Sequence, residues 1–238
     1  MHNNRVKRLP KIIAGQLIVS AVIIIIASLL ILYSQGYKMN WKTFKFYKTG
    51  MVLLISDPMP DRISISGIDY EPRTQFSKNF TPGYYDIKIS KDLYQDWSRT
   101  IYIAPERLDA FKDITLFLKA PKITALADQG KIGFLNSPNE YLAVNSKNDL
   151  RFQSHEIWVN NMIVTRLSKP IVSAVWYPDF DHVVYQAGDE IRIIENEGFN
   201  DTLLIKLSSD VPSKFAIGNK GRELYYTDNN QYYQAQIH

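Results

Sequence analysis

The first pattern along the chain is an uninterrupted apolar one. From Ile12 to Tyr33, 22 residues run without a charge or a proline. At about 1.5 Å per residue, a helix of that length crosses a hydrocarbon core roughly 30 Å thick. Only a helix or a closed barrel satisfies backbone polar groups in lipid, so the β-branched residues here do not argue for a strand. Gln16, Ser20 and Ser28 are the polar concessions. Ser34-Gln35-Gly36 offers small residues at a cleavage spacing. However, the apolar stretch of a secretory signal is only about 7–15 residues, so a retained span is predicted.

Beyond the span the period changes to two. Gln35 to Thr49 is a polar and aromatic spacer, in which Lys42, Lys45 and Lys48 interleave with Phe44, Phe46 and Tyr47. It suits either a lipid-facing strip or the stem of the next domain. Met51 to Ser56 is an apolar run closed by Asp57-Pro58-Met59-Pro60-Asp61, which is turn chemistry. Ile63 and Ile65 alternate with Ser64 and Ser66 before Gly67, and Tyr85, Ile87 and Ile89 alternate with Asp86, Lys88 and Ser90. Between them Thr81-Pro82-Gly83 reads as a type II turn. Arg99 to Ile103 and Ile114 to Leu118 continue the alternation. Residues 50–119 are therefore expected to form a small antiparallel sandwich of about six strands.

After the break at Ala120-Pro121-Lys122 a repeat begins. Asn136-Ser137-Pro138-Asn139 recurs as Trp176-Tyr177-Pro178-Asp179, 40 residues on, and Phe215 to Asn219 follows at a similar interval. Strands are predicted after each: Tyr141 to Val144, His182 to Tyr185 and Glu223 to Thr227. Second strands follow at Glu156 to Val159, Glu190 to Ile194 and Gln231 to Gln234. Asn160-Asn161 and Asn196-Glu197-Gly198 then turn the chain into Met162 to Arg166 and Thr202 to Leu207. Four short strands per repeat of about 40 residues is the signature of a propeller blade. The third repeat reaches His238 after three strands, which predicts an uncharged edge through Tyr232 to Ile237 that leans on the Met51 to Ser56 side of the same chain, on a second copy by self-association, or on another envelope protein.

Two stretches resemble known families. Thr49 to Ile103 is similar to a PEGA domain, through Ser56-Asp57-Pro58, Ile63 to Gly67 and Pro82-Gly83-Tyr84-Tyr85-Asp86-Ile87-Lys88-Ile89. The namesake tetrapeptide is replaced by Pro58-Met59-Pro60-Asp61. That resemblance implies a surface-exposed structural or binding module without catalytic residues. Val175 to Tyr185 resembles a blade of TolB-like propellers, with Tyr177 in place of the usual Ser and no Gly after Asp179. A closed propeller needs at least about four blades, so an open stack or a compact sandwich is expected.

Charge changes the picture once it is located. The net charge is +4, but residues 1–48 hold eight Lys or Arg and no acid, leaving 20 basic residues against all 24 acidic ones. The basicity flanks the span, where anionic lipid attracts it, and a mildly acidic remainder is no partner for nucleic acid. Four basic residues precede the span and four follow it closely. The positive-inside count is therefore even, and the short 1–11 tail is what argues for a cytoplasmic amino terminus. There is no cysteine, which removes disulfides and cysteine-ligated zinc.

Candidate chemistry is sparse. His2, His155, His182 and His238 have no metal-site spacing, and no P-loop, Rossmann or nucleophile-elbow motif occurs. Asp179 and Asp181 with Asp189 and Glu190 read better as solvated blade-turn carboxylates than as a cation site or an acid pair. The aromatic residues (4 Trp, 15 Tyr and 11 Phe) leave Tyr84, Tyr94, Trp97, Tyr225 and Tyr232 as a candidate binding surface, against their alternative role as sheet filling.

The expectation is an all-β ectodomain with one N-terminal transmembrane helix. The segments are a basic tail (1–11), the span (12–33), a spacer (34–49), a PEGA-like sandwich (50–119) and blade-like repeats (122–238). The protein is expected to bind the bilayer through 12–33 and to act outside the cytoplasm as a structural or binding protein, with an envelope protein, peptide or glycan as partner. No catalysis, cofactor or metal is expected. The alternative is a non-catalytic sensor or scaffold subunit of an envelope enzyme or transport complex.

Overall fold

The computed structural model describes residues 9–40, 45–136 and 149–238. The basic tail up to residue 8 and the predicted strand Tyr141 to Val144 lie outside them. The apolar run forms one helix, α1 (Leu9–Ser34), of which Ile13–Ser34 is long and apolar enough to cross a membrane. Every residue from Ile13 to Ile31 is exposed, so no described element covers that surface. Gly36, at φ +81°, takes up the left-handed conformation that commonly ends a helix.

The remainder is mostly strand. In chain order these are β1 (Tyr37–Asn40), β2 (Lys45–Lys48), β3 (Gly50–Asp57), β4 (Arg62–Ile65), β5 (Ile68–Tyr70), β6 (Gln75–Phe80), β7 (Gly83–Ser90), β8 (Trp97–Ile103), β9 (Leu108–Thr115) and β10 (Lys122–Ala125). A short helix, α2 (Gln129–Asn136), follows, then β11 (Leu150–Gln153), β12 (Glu156–Val159), β13 (Met162–Arg166), β14 (Ile171–Trp176) and β15 (His182–Ala187). The last five are β16 (Glu190–Glu195), β17 (Thr202–Lys206), β18 (Phe215–Gly218), β19 (Glu223–Asp228) and β20 (Gln231–Gln236).

Two compact units divide the chain. One is Met1–Leu53 with Ser77–Tyr84 and Tyr102–Ala110; the other is Leu54–Phe76, Tyr85–Ile101 and Phe111–His238. In the first, β1 and β2 form a hairpin whose base is tied by Thr49, donating through N and Oγ1 to the Gly36 carbonyl at 3.2 and 2.9 Å.

Residues 50–115 give seven strands in two sheets, ordered β6-β3-β9 and β5-β4-β7-β8. The period-two pattern emerges as alternating burial: Val52, Leu54 and Ser56 on β3, Ile63 and Ile65 on β4, Ile87 and Ile89 on β7. Ser66 and Gly67, at φ +49° and +79°, make the tight turn between β4 and β5. Gly83 differs from expectation. It opens β7 at φ +156°, close to extended chain, and not at the roughly +80° of a type II turn.

The second half of the chain is a stack of sheets, β11-β12-β13, β14-β15-β16-β17 and β10-β20-β19-β18. All six residues of β15 are buried, because the middle sheet is covered on both faces. Val183, Tyr185 and Ala187 pack with Ile157, Val159 and Val164 of the first sheet. Val184, with Ile191 and Ile193 of β16, packs with Ile217, Leu224, Tyr226, Ala235 and Ile237 on the other side. The stack forms no closed propeller. Gln186, fully buried on β15, is satisfied by donating to Gly188 O and Val211 O and accepting from Ser213 N.

The expected edge is covered. β20 is an inner strand, flanked by β19 and by β10, with Ile123 opposite Ala235 and Lys122 opposite Gln236. The stretch Tyr232 to Ile237 thus leans on the same chain, through β10, the first strand of the stack, and through the Leu118 and Leu126 amides, which donate to the Ile237 and Tyr232 carbonyls.

Candidate functional site

A polar cleft of about 730 Å³ opens beside the middle and last sheets, lined among others by Asp57, Tyr177, Asp179, Lys220, Arg222 and His238. One wall is the tight turn Asn219–Gly221 between β18 and β19, where all three residues have positive φ (+49°, +55° and +98°). Tyr177, buried, donates its hydroxyl to the Gly221 carbonyl at 2.9 Å and so holds that turn. A side chain at Gly221 would start only 2.2 Å from the Tyr177 oxygen, so the position requires glycine for space as well as for φ. Burial, with the charges of Asp179 and Asp57, pushes the Tyr177 hydroxyl well above the ordinary tyrosine pKa, and it stays a neutral donor.

The opposite side of the cleft carries acids that already have partners. His238 reaches Asp57 Oδ2 at 3.2 Å through Nε2 and Leu116 O at 3.0 Å through Nδ1. Asp179 caps its own turn, accepting from the backbone of Asp181 and His182 at 2.9 and 3.0 Å, and its second oxygen lies 2.7 Å from His182 Nδ1. Among the described residues neither Lys220 nor Arg222 is in an ion pair. The uncommitted charge of the cleft is therefore positive.

His182 is 4% exposed, beneath the rings of Phe117 and Tyr177. Burial pulls its pKa down, but the hydrogen bond to Asp179 and the charges of Asp179, Glu195 and Asp181 outweigh it, and the value is raised. A raised histidine pKa contributes stability in full below about pH 6.5, the ordinary value, and loses it as pH rises through the folded-state value. Stability should therefore fall on going from acid to mildly alkaline pH, and His182→Gln should flatten that slope. Urea midpoints measured on both sides of neutrality would check it; parallel profiles for the two proteins would show that His182 is not the group.

The other carboxylates singled out from the sequence are also engaged. Asp189 is bridged to Lys169 and Lys206, both at 2.6 Å, which holds its pKa far below the usual carboxylate range. Glu190 meets Arg192 at 3.0 Å. Among the described residues no three His, Asp or Glu gather in a way that would hold a metal ion.

The aromatic surface is not assembled as expected. Trp97 and Tyr225 are core residues, 4% and 5% exposed. Tyr225 donates to Glu223 Oε2 at 2.5 Å and lies edge-on to Phe134 of α2, so its face is spent inside the last sheet. Tyr94 and Tyr232 are half-buried, Tyr94 in a bridge to Leu118. Tyr84 is exposed and pairs with Tyr102 at 5.1 Å, in the first compact unit, whereas the other four belong to the second.

Trp97 instead marks a joint that fastens β8 to the β16–β17 hairpin. Its Nε1 donates to Glu195 Oε1 at 2.6 Å, the Ser98 amide to Asn200 Oδ1 at 3.1 Å, and Asn200 Nδ2 to the same Glu195 oxygen at 2.8 Å. Arg99 lies 3.6 Å from Glu195, also pairs with Glu197, and rests over the rings of Phe199 and Phe111 at 4.1 and 5.3 Å. Sequence reading missed Arg99, Glu195 and Asn200 because no spacing links residues a hundred positions apart. Of the cleft, the turns at Asp57-Pro58 and Tyr177-Pro178-Asp179 were legible, whereas Asn219-Lys220-Gly221 was not singled out. No family model, no curated protein and no solved structure matches this chain.

Proposed function

We propose that this is a single-span membrane protein whose all-β body, a PEGA-like sandwich fastened to propeller-blade-like sheets, lies outside the cytoplasm and binds a protein segment of the cell envelope. The observation that carries the reading is the bare α1: an apolar helix of this length with every face exposed needs lipid around it. The cleft supports binding over catalysis. Its acids are tied to histidines and to backbone, while Lys220 and Arg222 are left to meet an acidic side chain on a partner. The period-two burial of residues 50–115 and the three stacked sheets after residue 121 support the two modules.

The absence of cysteine makes the test direct. Asn161→Cys, on an exposed hairpin turn, should react with a membrane-impermeant maleimide in intact cells, and Asn4→Cys only after permeabilisation. The reverse pattern would invert the topology. A photo-crosslinker at Asn219 should give a discrete adduct with a second protein that disappears in Lys220→Glu/Arg222→Glu. An adduct that survives both charge reversals would remove the cleft from the reading.

A further inference from the structure

The surface that this function leaves unused lies in the first compact unit. α1 has 26 residues and, at about 1.5 Å each, runs about 39 Å, longer than the roughly 30 Å core it would cross. Its last turns, with Leu29, Leu30, Leu32 and Tyr33, reach the boundary between hydrocarbon and headgroups. The β1–β2 hairpin folds back beside those turns. Between the two lies an apolar groove of about 490 Å³, lined by Ile26 and those four residues on the helix side and by Tyr37, Lys38, Met39, Phe46 and Tyr47 on the hairpin side. Leu32 is the one residue from Ile13 to Tyr33 that is not exposed, so the hairpin covers only a narrow part of the helix end. Phe46, 44% exposed, is left half open beside it.

We propose that this groove seats one anionic phospholipid of the surrounding bilayer, its acyl chain along Leu29 and Leu32 and its phosphate against Lys38. The proposal rests on the reading of α1 as a membrane anchor. A two-stranded hairpin has unpaired backbone edges and cannot enter hydrocarbon, so it belongs at headgroup depth, where phosphate is found. Charge then selects the lipid. Lys48 is occupied, pairing with Glu106 and lying 5.3 Å from the centre of the Tyr37 ring. Lys38 has only a long 3.4 Å contact to the Asn79 carbonyl, which leaves an ammonium at the groove without an acidic partner among the described residues. The hairpin sequence adds Lys42 and Lys45 and no acid, so an anionic headgroup is favoured over a zwitterionic one.

The test uses the full chain in nanodiscs of phosphatidylcholine with a minor share of phosphatidylglycerol. Native mass spectrometry then counts the lipid that stays bound after release from the disc. One phosphatidylglycerol should be retained preferentially. Lys38→Gln should reduce that preference about five-fold, the effect of one lysine near an anionic surface. Leu32→Trp, which fills the groove, should reduce retention of any lipid. Equal retention of the two lipids by the unaltered chain, or a preference indifferent to Lys38→Gln, would overturn the seat while leaving the anchor standing. Flotation with vesicles after an alkaline wash reads the anchor separately. A chain that fails to float would remove both.

Discussion

Glu195→Ala is expected to cost about 3–5 kcal/mol, the usual effect of removing one partner from a largely buried ion pair. The Arg99 and Glu195 side chains are 13% and 12% exposed, so solvent screens them weakly. Without Glu195, Trp97 Nε1 loses its acceptor, Asn200 loses the contact that orients it toward Ser98, and Arg99 keeps only the exposed Glu197. Burial already depresses the Arg99 pKa and the charge of Glu195 opposes that, so the substitution leaves a desolvated cation less compensated. Glu195→Gln, which retains an acceptor for Trp97, should lie between the two, at about 1–3 kcal/mol. Urea unfolding of the detergent-solubilised chain would measure both. A loss under about 1 kcal/mol for Glu195→Ala, the worth of an exposed pair, would mean that the joint is as screened as a surface contact.

Phe117→Ala should be comparable, at about 3–5 kcal/mol, for a different physical reason. Phe117 sits in the segment that joins the two strand-rich halves of the second unit, yet it is 4% exposed. Its ring meets Tyr177 at 5.6 Å and His182 at 5.7 Å, both edge-on, and His238 at 6.4 Å. Truncation removes the apolar burial and leaves a cavity that three rings border. Because Tyr177 holds the Asn219–Gly221 turn, adducts from a crosslinker at Asn219 should weaken along with stability. Phe117→Leu, which keeps most of the volume, should cost markedly less. Equal melting temperatures for the alanine and leucine variants would show that the site collapses without penalty.

Much of the strand layout was legible because it is local. β12 and β13 run over the residues that alternation and the Asn160-Asn161 turn assign, and both asparagines adopt the positive φ that a two-residue hairpin needs. The apolar helix was equally legible, since a long uncharged run has few alternatives. What sequence could not supply was pairing between distant segments. Lys122 to Ala125 is only four residues long, follows directly on the Pro121 break and buries none of its side chains, yet it completes the last sheet. α2 was missed for a similar reason, its apolar face being only Ile132, Phe134 and Leu135 packed on Tyr225 and Ala216. For the site, aromatic residues were a poor guide. A Trp or Tyr on a strand is as apt to be core as surface, and which one it is depends on neighbours that the spacing does not reveal.

The strand β10 also bears on how this molecule is made. Lys122 pairs with Gln236, so roughly 110 residues must be synthesised after the first strand of the last sheet before its partner exists. At about 5–20 residues per second, β10 waits on the order of 5–20 s with its backbone unpaired. During that interval the middle sheet can already form, because β14 to β17 pair only with their immediate neighbours. Local contacts form early and distant ones late. The nascent body is thus expected to assemble around its middle sheet and to close last through β10. Until then a helper that masks strands would find Lys122 to Ala125 open.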